Sequence, residues 1–298
     1  MNPGKYLLRF PGLCFLTLSL LTVSVSQSIT AGGEVKHHPQ FGSKLIDARN
    51  VDVWLPPGYD GNNGQRYPVL YMHDGQNIFD GKSAFGGVSW RVHDAMVRLL
   101  GEGRVRPAII VGVWNTQKRF QEYMPQKAVR GGKADVVKGL TAPVSGEIIS
   151  DNYLRFLVTE LKPFIDSNYR TLTDRKNTFI MGSSMGGLIS AYAISEYPKV
   201  FGGAGCVSTH WPAGEGLVIE YLKSHLPDAR NHKFYFDFGT KTLDALYEPY
   251  QKKMDEVMKK AGYTEGKNWM TRKFAGAEHS EKSWSERVDV PLTFLLEK

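Results

Sequence analysis

Cysteine is almost absent from this chain: Cys14 and Cys206 are the only two among 298 residues. That excludes a disulfide framework, so stability has to come from packing. No interior apolar run approaches the roughly 20 residues a bilayer-spanning helix needs, so no stable membrane insertion of the mature chain is expected. The eight histidines show no metal-ligand spacing; His37 and His38 are adjacent, which suits no ligand geometry. Asp60-Gly61-Asn62-Asn63-Gly64 lacks the later acidic residue of a calcium loop and reads as a turn. No metal and no cofactor are expected. There is no internal repeat and no low-complexity tract.

A basic stripe is missing too. Lys and Arg number 37 against 30 Asp and Glu, a formal charge of +7, but the surplus is dispersed. Lys252-Lys253 and Lys259-Lys260 flank Asp255 and Glu256 in a helical segment, which describes a solvated face and not a nucleic-acid surface. A mildly basic surface is compatible with acidic polymers but identifies none.

The N-terminus is different in kind. Lys5 and Arg9 precede an apolar run from Leu13 to Val25, which passes into Ser26, Ser28 and Ala31. This is the layout of a signal peptide over residues 1–28 and implies a secreted or periplasmic protein. Leu13 before Cys14 does not fit lipid attachment. Removing Lys5 and Arg9 takes the charge from +7 to +5 and leaves Cys206 alone. Residues 29–43 are polar and read as a flexible leader. Residues 44–298, in a chain that is 42% hydrophobic, suffice for one domain with one large core.

Within that domain the periodicity alternates. Val51, Val53 and Leu55 mark a half-buried strand. Val69–Met72 and Ala108–Trp114 are continuously apolar, as strands covered on both faces are. Leu154, Leu157, Val158 and Leu161 have helical spacing, with Pro163 bending or ending the helix. Strands follow at Thr178–Met181, Val200–Val207, Phe234–Phe238 and Trp269–Phe274. Helices are expected over 94–100, after Met185, over 246–260, and from Ser280 with a break near Pro291. Alternation of this kind gives an α/β fold with a mainly parallel central sheet and helices on both faces. The long stretch from Asn115 to about Ser150, with Arg119, Glu122, Tyr123 and a loop from Arg130 to Lys138, reads as a cap beside the functional edge.

The chemistry centres on Gly182-Ser183-Ser184-Met185-Gly186. This is G-x-S-x-G between an apolar strand and a helix, the arrangement that exposes a serine on a sharp turn. A serine needs a base, and the base needs a carboxylate to fix its tautomer. The order on such a fold is Ser, acid, His. His279 is the candidate base, in a short loop after the last strand. Asp244 is the candidate acid, with Asp237 and Glu248 as weaker options. Backbone N–H groups of Gln76, after the Val69–Met72 strand, and of Met185 are the candidate oxyanion donors. Together these groups describe acyl transfer through an acyl-enzyme.

Met72-His73-Asp74-Gly75-Gln76-Asn77, Trp114-Asn115 with Arg119 and Glu122-Tyr123, Gly182–Gly187, Ser208-Thr209-His210-Trp211, and His279 with Trp284 together resemble the esterase D-like family of α/β-hydrolases, from about residue 44 to the C-terminus. The family includes feruloyl and acetyl esterases of plant polysaccharides, siderophore-ester hydrolases and mycolyltransferases. The resemblance implies a metal-independent serine hydrolase with Ser184 and His279 in its triad. Trp114, Asn115, Arg119, His210, Trp211 and Trp284 are then the candidate substrate contacts, the tryptophans by stacking on a sugar or phenolic ring. Arg119 and Glu122 either bind substrate or pair with each other to fix the cap. The expected partner is an ester, with an acylated carbohydrate first, a catecholate siderophore ester as alternative, and acyl transfer to a second alcohol as another.

Overall fold

The structure, a computed structural model, describes residues 1, 27–30, 32–61, 64–129 and 146–298. Its strands are Gln27–Thr30 (β1), Gly33–Phe41 (β2), Arg49–Leu55 (β3), Val69–His73 (β4), Ile109–Val113 (β5), Thr178–Ser183 (β6), Gly203–Val207 (β7), Lys233–Phe238 (β8) and Trp269–Lys273 (β9). They form one sheet in the order β1-β2-β3-β5-β4-β6-β7-β8-β9. The run from β5 to β9 is parallel throughout, while β1, β2 and β3 add on antiparallel. The expected α/β layering with a mainly parallel sheet is what forms.

The helices are Val92–Gly101 (α1), Arg119–Tyr123 (α2), Ser150–Phe156 (α3), Lys162–Asn168 (α4), Met185–Glu196 (α5), Leu217–Leu222 (α6), Glu248–Lys260 (α7), Glu281–Ser285 (α8) and Asp289–Leu296 (α9). Two apolar clusters lie on opposite faces of the sheet. One joins Val53, Val111 and Ile180 to α3, α5 and α7. The other joins Leu70, Ile110 and Met181 to α1 and α9. Helix α5 is buried from Met185 through Ile194, so it is apolar all round and needs no solvent face. Helix α7 buries Gln251, Met254, Val257 and Met258, and turns its lysines outward, where Lys252 pairs with Glu248 and Lys259 with Glu256.

Three local expectations change. Residues 33–41 are not a flexible leader: they form β2, in which Val35 is buried, His37 bonds Asp52 and His38 bonds the Tyr169 hydroxyl. Polar side chains on a strand near the sheet edge hide its pattern from a periodicity argument. Pro163 does not end its helix, because a π-turn over Leu157–Leu161 precedes it and Pro163 falls in the first turn of α4, where no intrahelical N–H is needed. The C-terminal helix breaks earlier than expected, between α8 and α9, and Pro291 lies inside the first turn of α9. Residues 2–26 of the expected signal peptide and 130–145 of the expected cap lie outside the described residues.

Helix α2 is anchored from below. Arg49 at the start of β3 makes a two-pronged contact with Glu122, Nη1 to Oε2 at 3.0 Å and Nη2 to Oε1 at 2.6 Å, with both side chains essentially solvent-free. Tyr153 and Phe156 flank the guanidinium at 5.3 and 5.4 Å. Glu122→Ala would strand a buried cation and is expected to destabilise the fold by about 3–5 kcal/mol in chemical denaturation. The double variant Arg49→Met with Glu122→Leu should recover most of that loss.

His73 closes β4 with its ring buried against Tyr123 and Tyr153, its Nδ1 2.7 Å from the Tyr153 hydroxyl. Burial holds its pKa down at about 3, below the ordinary 6.5. The ring is neutral in the fold and charges freely in the unfolded chain, so its contribution to stability is complete above pH 6.5 and drains as pH falls toward 3. The unfolding free energy should drop by about 1.4 kcal/mol per pH unit from this group across that window. Urea midpoints at pH 7 and pH 5 measure it, and His73→Gln should flatten the slope.

Candidate active site

The sheet ends its parallel strands at one edge, where the loops after β4, β6, β7, β8 and β9 meet. Ser184 stands between β6 and α5 with φ 58° and ψ −119°, a sparsely populated conformation for a residue with a Cβ. The turn can be this tight because Gly182 and Gly186 touch: a Cβ on Gly182 would lie 2.9 Å from the Gly186 carbonyl carbon. The backbone is locked from both sides. Ser184 N–H donates to Val207 O at 2.9 Å, and Ser184 O accepts from the N–H groups of Gly187 and His210 at 3.0 and 3.1 Å.

His279 lies in the loop after β9, and its Nδ1 is 2.6 Å from Asp244 Oδ1. An ionised carboxylate only accepts, so Nδ1 carries the proton and Nε2 is left as the basic nitrogen. The other Asp244 oxygen accepts from Ser208 Oγ and Gly239 N, each at 2.6 Å. Burial pushes the Asp244 carboxyl up, but the bonds from His279, Ser208 and Gly239 outweigh it and hold the group below its ordinary value. Asp237 stays within β8, where it accepts from Ser208 N, the Tyr235 hydroxyl and Arg287. Glu248 pairs with Lys252 and Lys273 on the surface. Of the three acids considered, Asp244 is the one that meets the imidazole.

Tyr247, which sequence reasoning did not single out, joins the two halves. Its ring centroid is 5.6 Å from that of His279, edge-on, and its hydroxyl is 2.6 Å from His210 Nδ1. Burial raises the Tyr247 pKa above the ordinary phenol value. Among the described residues the Ser184 hydroxyl makes no hydrogen bond to His279. His210 is buried, and desolvation, then the nearby His279 and Arg119 charges, bring its pKa down to about 4. It is neutral at neutral pH.

On the other side of Ser184, β4 runs into Asp74, in a left-handed conformation (φ 57°), and the single turn Gly75-Gln76-Asn77. Gly75 presses on β5 so closely that a Cβ would sit 2.5 Å from the Gly112 carbonyl carbon. Among the described residues the N–H groups of Gln76 and Met185, each in the first turn of its helix, form no hydrogen bond. Arg119 donates to both Asp74 oxygens at 2.7 and 2.8 Å, and Asn115 Nδ2 donates to Oδ1 at 2.6 Å. Against the upward push of burial, the Arg119 charge and these bonds keep Asp74 ionised. Asn115 N–H donates to Gln76 Oε1 at 3.3 Å. Arg119 and Glu122 therefore do not pair with each other; one fixes this turn and the other holds Arg49. Asn115 and Arg119 fix the turn through Asp74.

The tryptophans divide. Trp211 is 1% exposed and donates to Gln251; Trp284 is 4% exposed, donates to Ser208 Oγ at 3.0 Å and stands edge-on to His279 at 4.9 Å. Neither offers a face to a ligand, so their expected stacking role is replaced by bracing. Trp114 is half-buried, with Nε1 2.7 Å from Asp52 Oδ2. Asp74 and Ser208 could have been suspected from their places directly after β4 and β7. Nothing in the sequence marked Arg287, which reaches back from beyond α8 to Ser208 and Asp237. Among the described residues no cluster of ligating side chains could hold a metal, and no helix is long and apolar enough to cross a membrane.

The chain can now be set beside known proteins. It is 26% identical over 191 residues to the endo-1,4-beta-xylanase/feruloyl esterase of Xylanibacter ruminicola, which covers 63% of this chain and 22% of that protein. It is 26% identical over 183 residues to the apo-salmochelin esterase of Escherichia coli, covering 57% and 51%. The chain thus spans about half the length, or less, of these curated relatives. A solved ferulic acid esterase superposes with a TM-score of 0.65 at 21% identity, over 89% of this chain and 99% of that one, and shows the α/β-hydrolase type of fold. The family model described as "Putative esterase" matches residues 42–290, most of the chain, and the protein belongs to that esterase family.

Proposed function

We propose that this esterase is an exported serine carboxylic-ester hydrolase that works through an acyl-enzyme on Ser184. The observation that carries the reading is the His279–Asp244 contact at the same sheet edge as the strained Ser184 turn. Ser184 Oγ attacks the ester carbonyl carbon while His279 Nε2 takes the hydroxyl proton. The carbonyl oxygen, now negative, receives the N–H groups of Gln76 and Met185. The bond to the alcohol oxygen then breaks, and His279 returns the proton to that oxygen. Water repeats the sequence on the acyl group and frees Ser184. The Ser184–His279 hydrogen bond is made as the substrate docks, a tightening common in such sites.

For the substrate, acetyl or feruloyl esters of a carbohydrate come first. Likeness to a feruloyl esterase supports this, and so does electrostatics: the guanidinium groups of Arg119 and Arg287 are committed to Asp74 and Asp237, so neither is available to an anionic catecholate. Likeness to a salmochelin esterase supports a siderophore ester as second reading. The apolar run before Ser26 supports export.

Ser184→Ala and His279→Ala should each lower kcat for p-nitrophenyl acetate by at least about 10³-fold, and Asp244→Asn by about 10³–10⁴-fold, with unchanged circular dichroism. Wild-type protein without turnover on any ester would remove the assignment. Acetylated xylan, methyl ferulate and a catecholate-siderophore ester assayed together decide the substrate: turnover should be fastest on the sugar or phenolic esters, and a clear preference for the siderophore reverses the order.

A further inference from the structure

Behind the turn that carries Gln76 lies a cleft of about 540 Å³ that the chemistry above does not use. Strands β2 and β3, the end of β5 and the segment from Gly75 to Ser83 enclose it. Trp114 lines it. The indole is fixed in tilt because Nε1 donates to Asp52 Oδ2 at 2.7 Å, while Asp52 Oδ1 lies 2.7 Å from His37 Nδ1. Asp52 is 5% exposed, so the anchor is sheltered from water, while Trp114 is partly exposed. Around this platform stand polar groups of Asn50, Asp80 and Ser83.

The cleft shares a wall with the ester site. Gly75 lines it and precedes Gln76, Ser83 Oγ donates to Gln76 O at 2.8 Å, and Trp114 is followed by Asn115, whose N–H holds the Gln76 side chain. The lining carries two carboxylates, Asp52 and Asp80, and neither lysine nor arginine. A catecholate, carboxylate or phosphate would be repelled there. An aromatic face rimmed by carboxylate, amide and hydroxyl groups suits a neutral polyhydroxylated ring, with C–H groups on the indole and hydroxyls on the rim.

We propose that this cleft is a sugar subsite, holding a neutral pyranose or furanose unit of the carbohydrate whose ester Ser184 attacks. The proposal rests on the ester-hydrolase reading for its purpose, but not for its binding. Xylo-oligosaccharides are therefore titrated calorimetrically into the full-length Ser184→Ala protein, with and without Trp114→Ala. Binding should be present in the first and weaker by about tenfold or more in the second. Trp114→Phe, which keeps a ring but loses the Asp52 bond, should fall between them and replaces Trp114→Ala if that protein does not fold. In the Ser184-intact enzyme, Trp114→Ala should lower the ratio of kcat/KM for acetylated xylo-oligosaccharide over p-nitrophenyl acetate by about tenfold. No binding to Ser184→Ala, equal affinity with and without the indole, or an unchanged ratio would each overturn the subsite. Absence of ester turnover in the wild type would instead remove the hydrolase reading while leaving the titration to decide the cleft.

Discussion

One buried carboxylate gathers the functional edge. Asp244 sits after β8, yet its partners come from the loop after β7 (Ser208), from the end of β8 (Gly239) and from the loop after β9 (His279). A solvent-free anion without hydrogen bonds is untenable, so three loops that share little apolar surface are obliged to converge on it. Gly239 shows how tight the convergence is: a Cβ there would stand 2.2 Å from Ala277 O. Ser208 extends the arrangement outward, accepting from Trp284 Nε1 and from Arg287 Nη2, and Arg287 carries the contact on to Asp237. His279 is thereby placed by its bond to Asp244, by the edge of Trp284 and by Tyr247.

The opposite side of the edge is built on a different economy of charge. Helix α2 is barely more than one turn long and could not hold itself in place. It is held because residues three apart on one helix face reach in two directions, Glu122 down to Arg49 in β3 and Arg119 across to Asp74 beside the Gln76 turn. Asp74 in turn packs against α5, its Oδ2 only 3.5 Å from where a Gly186 Cβ would be. The turn that presents the Gln76 N–H is therefore fixed relative to Ser184 through side chains and glycine contacts. Backbone hydrogen bonds of the sheet fix the strands, and these ion pairs fix what the strands carry.

This division explains what the sequence could and could not say. The parallel core was legible because β4, β5 and β6 are buried on both faces and their apolar runs are uninterrupted. The Ser184 turn was legible because tight approach demands glycine at fixed offsets, and Asp244 because chain order restricts the acid to the segment after β8. Strand β2 was not, since only Val35 is deeply buried and most of the rest of the strand is polar. The tryptophans were misread for a related reason: a large aromatic residue near the functional edge has the same letter whether it faces a ligand or braces an imidazole, and only burial separates Trp211 and Trp284 from Trp114. Partners of Arg119 and Arg287 lie 45 and 50 residues away in the chain, beyond any local pattern.

The Tyr247–His210 pair beside this edge has its own logic. Tyr247 is solvent-free and its pKa lies above the ordinary phenol value, with burial the main cause, so its hydroxyl keeps a single proton to give. Given to His210 Nδ1, 2.6 Å away, that proton leaves the phenol oxygen as an acceptor. His210 is the natural acceptor because desolvation keeps it neutral down to a pH of about 4. The pair thus shares that proton without calling on His279, which Asp244 engages through Nδ1.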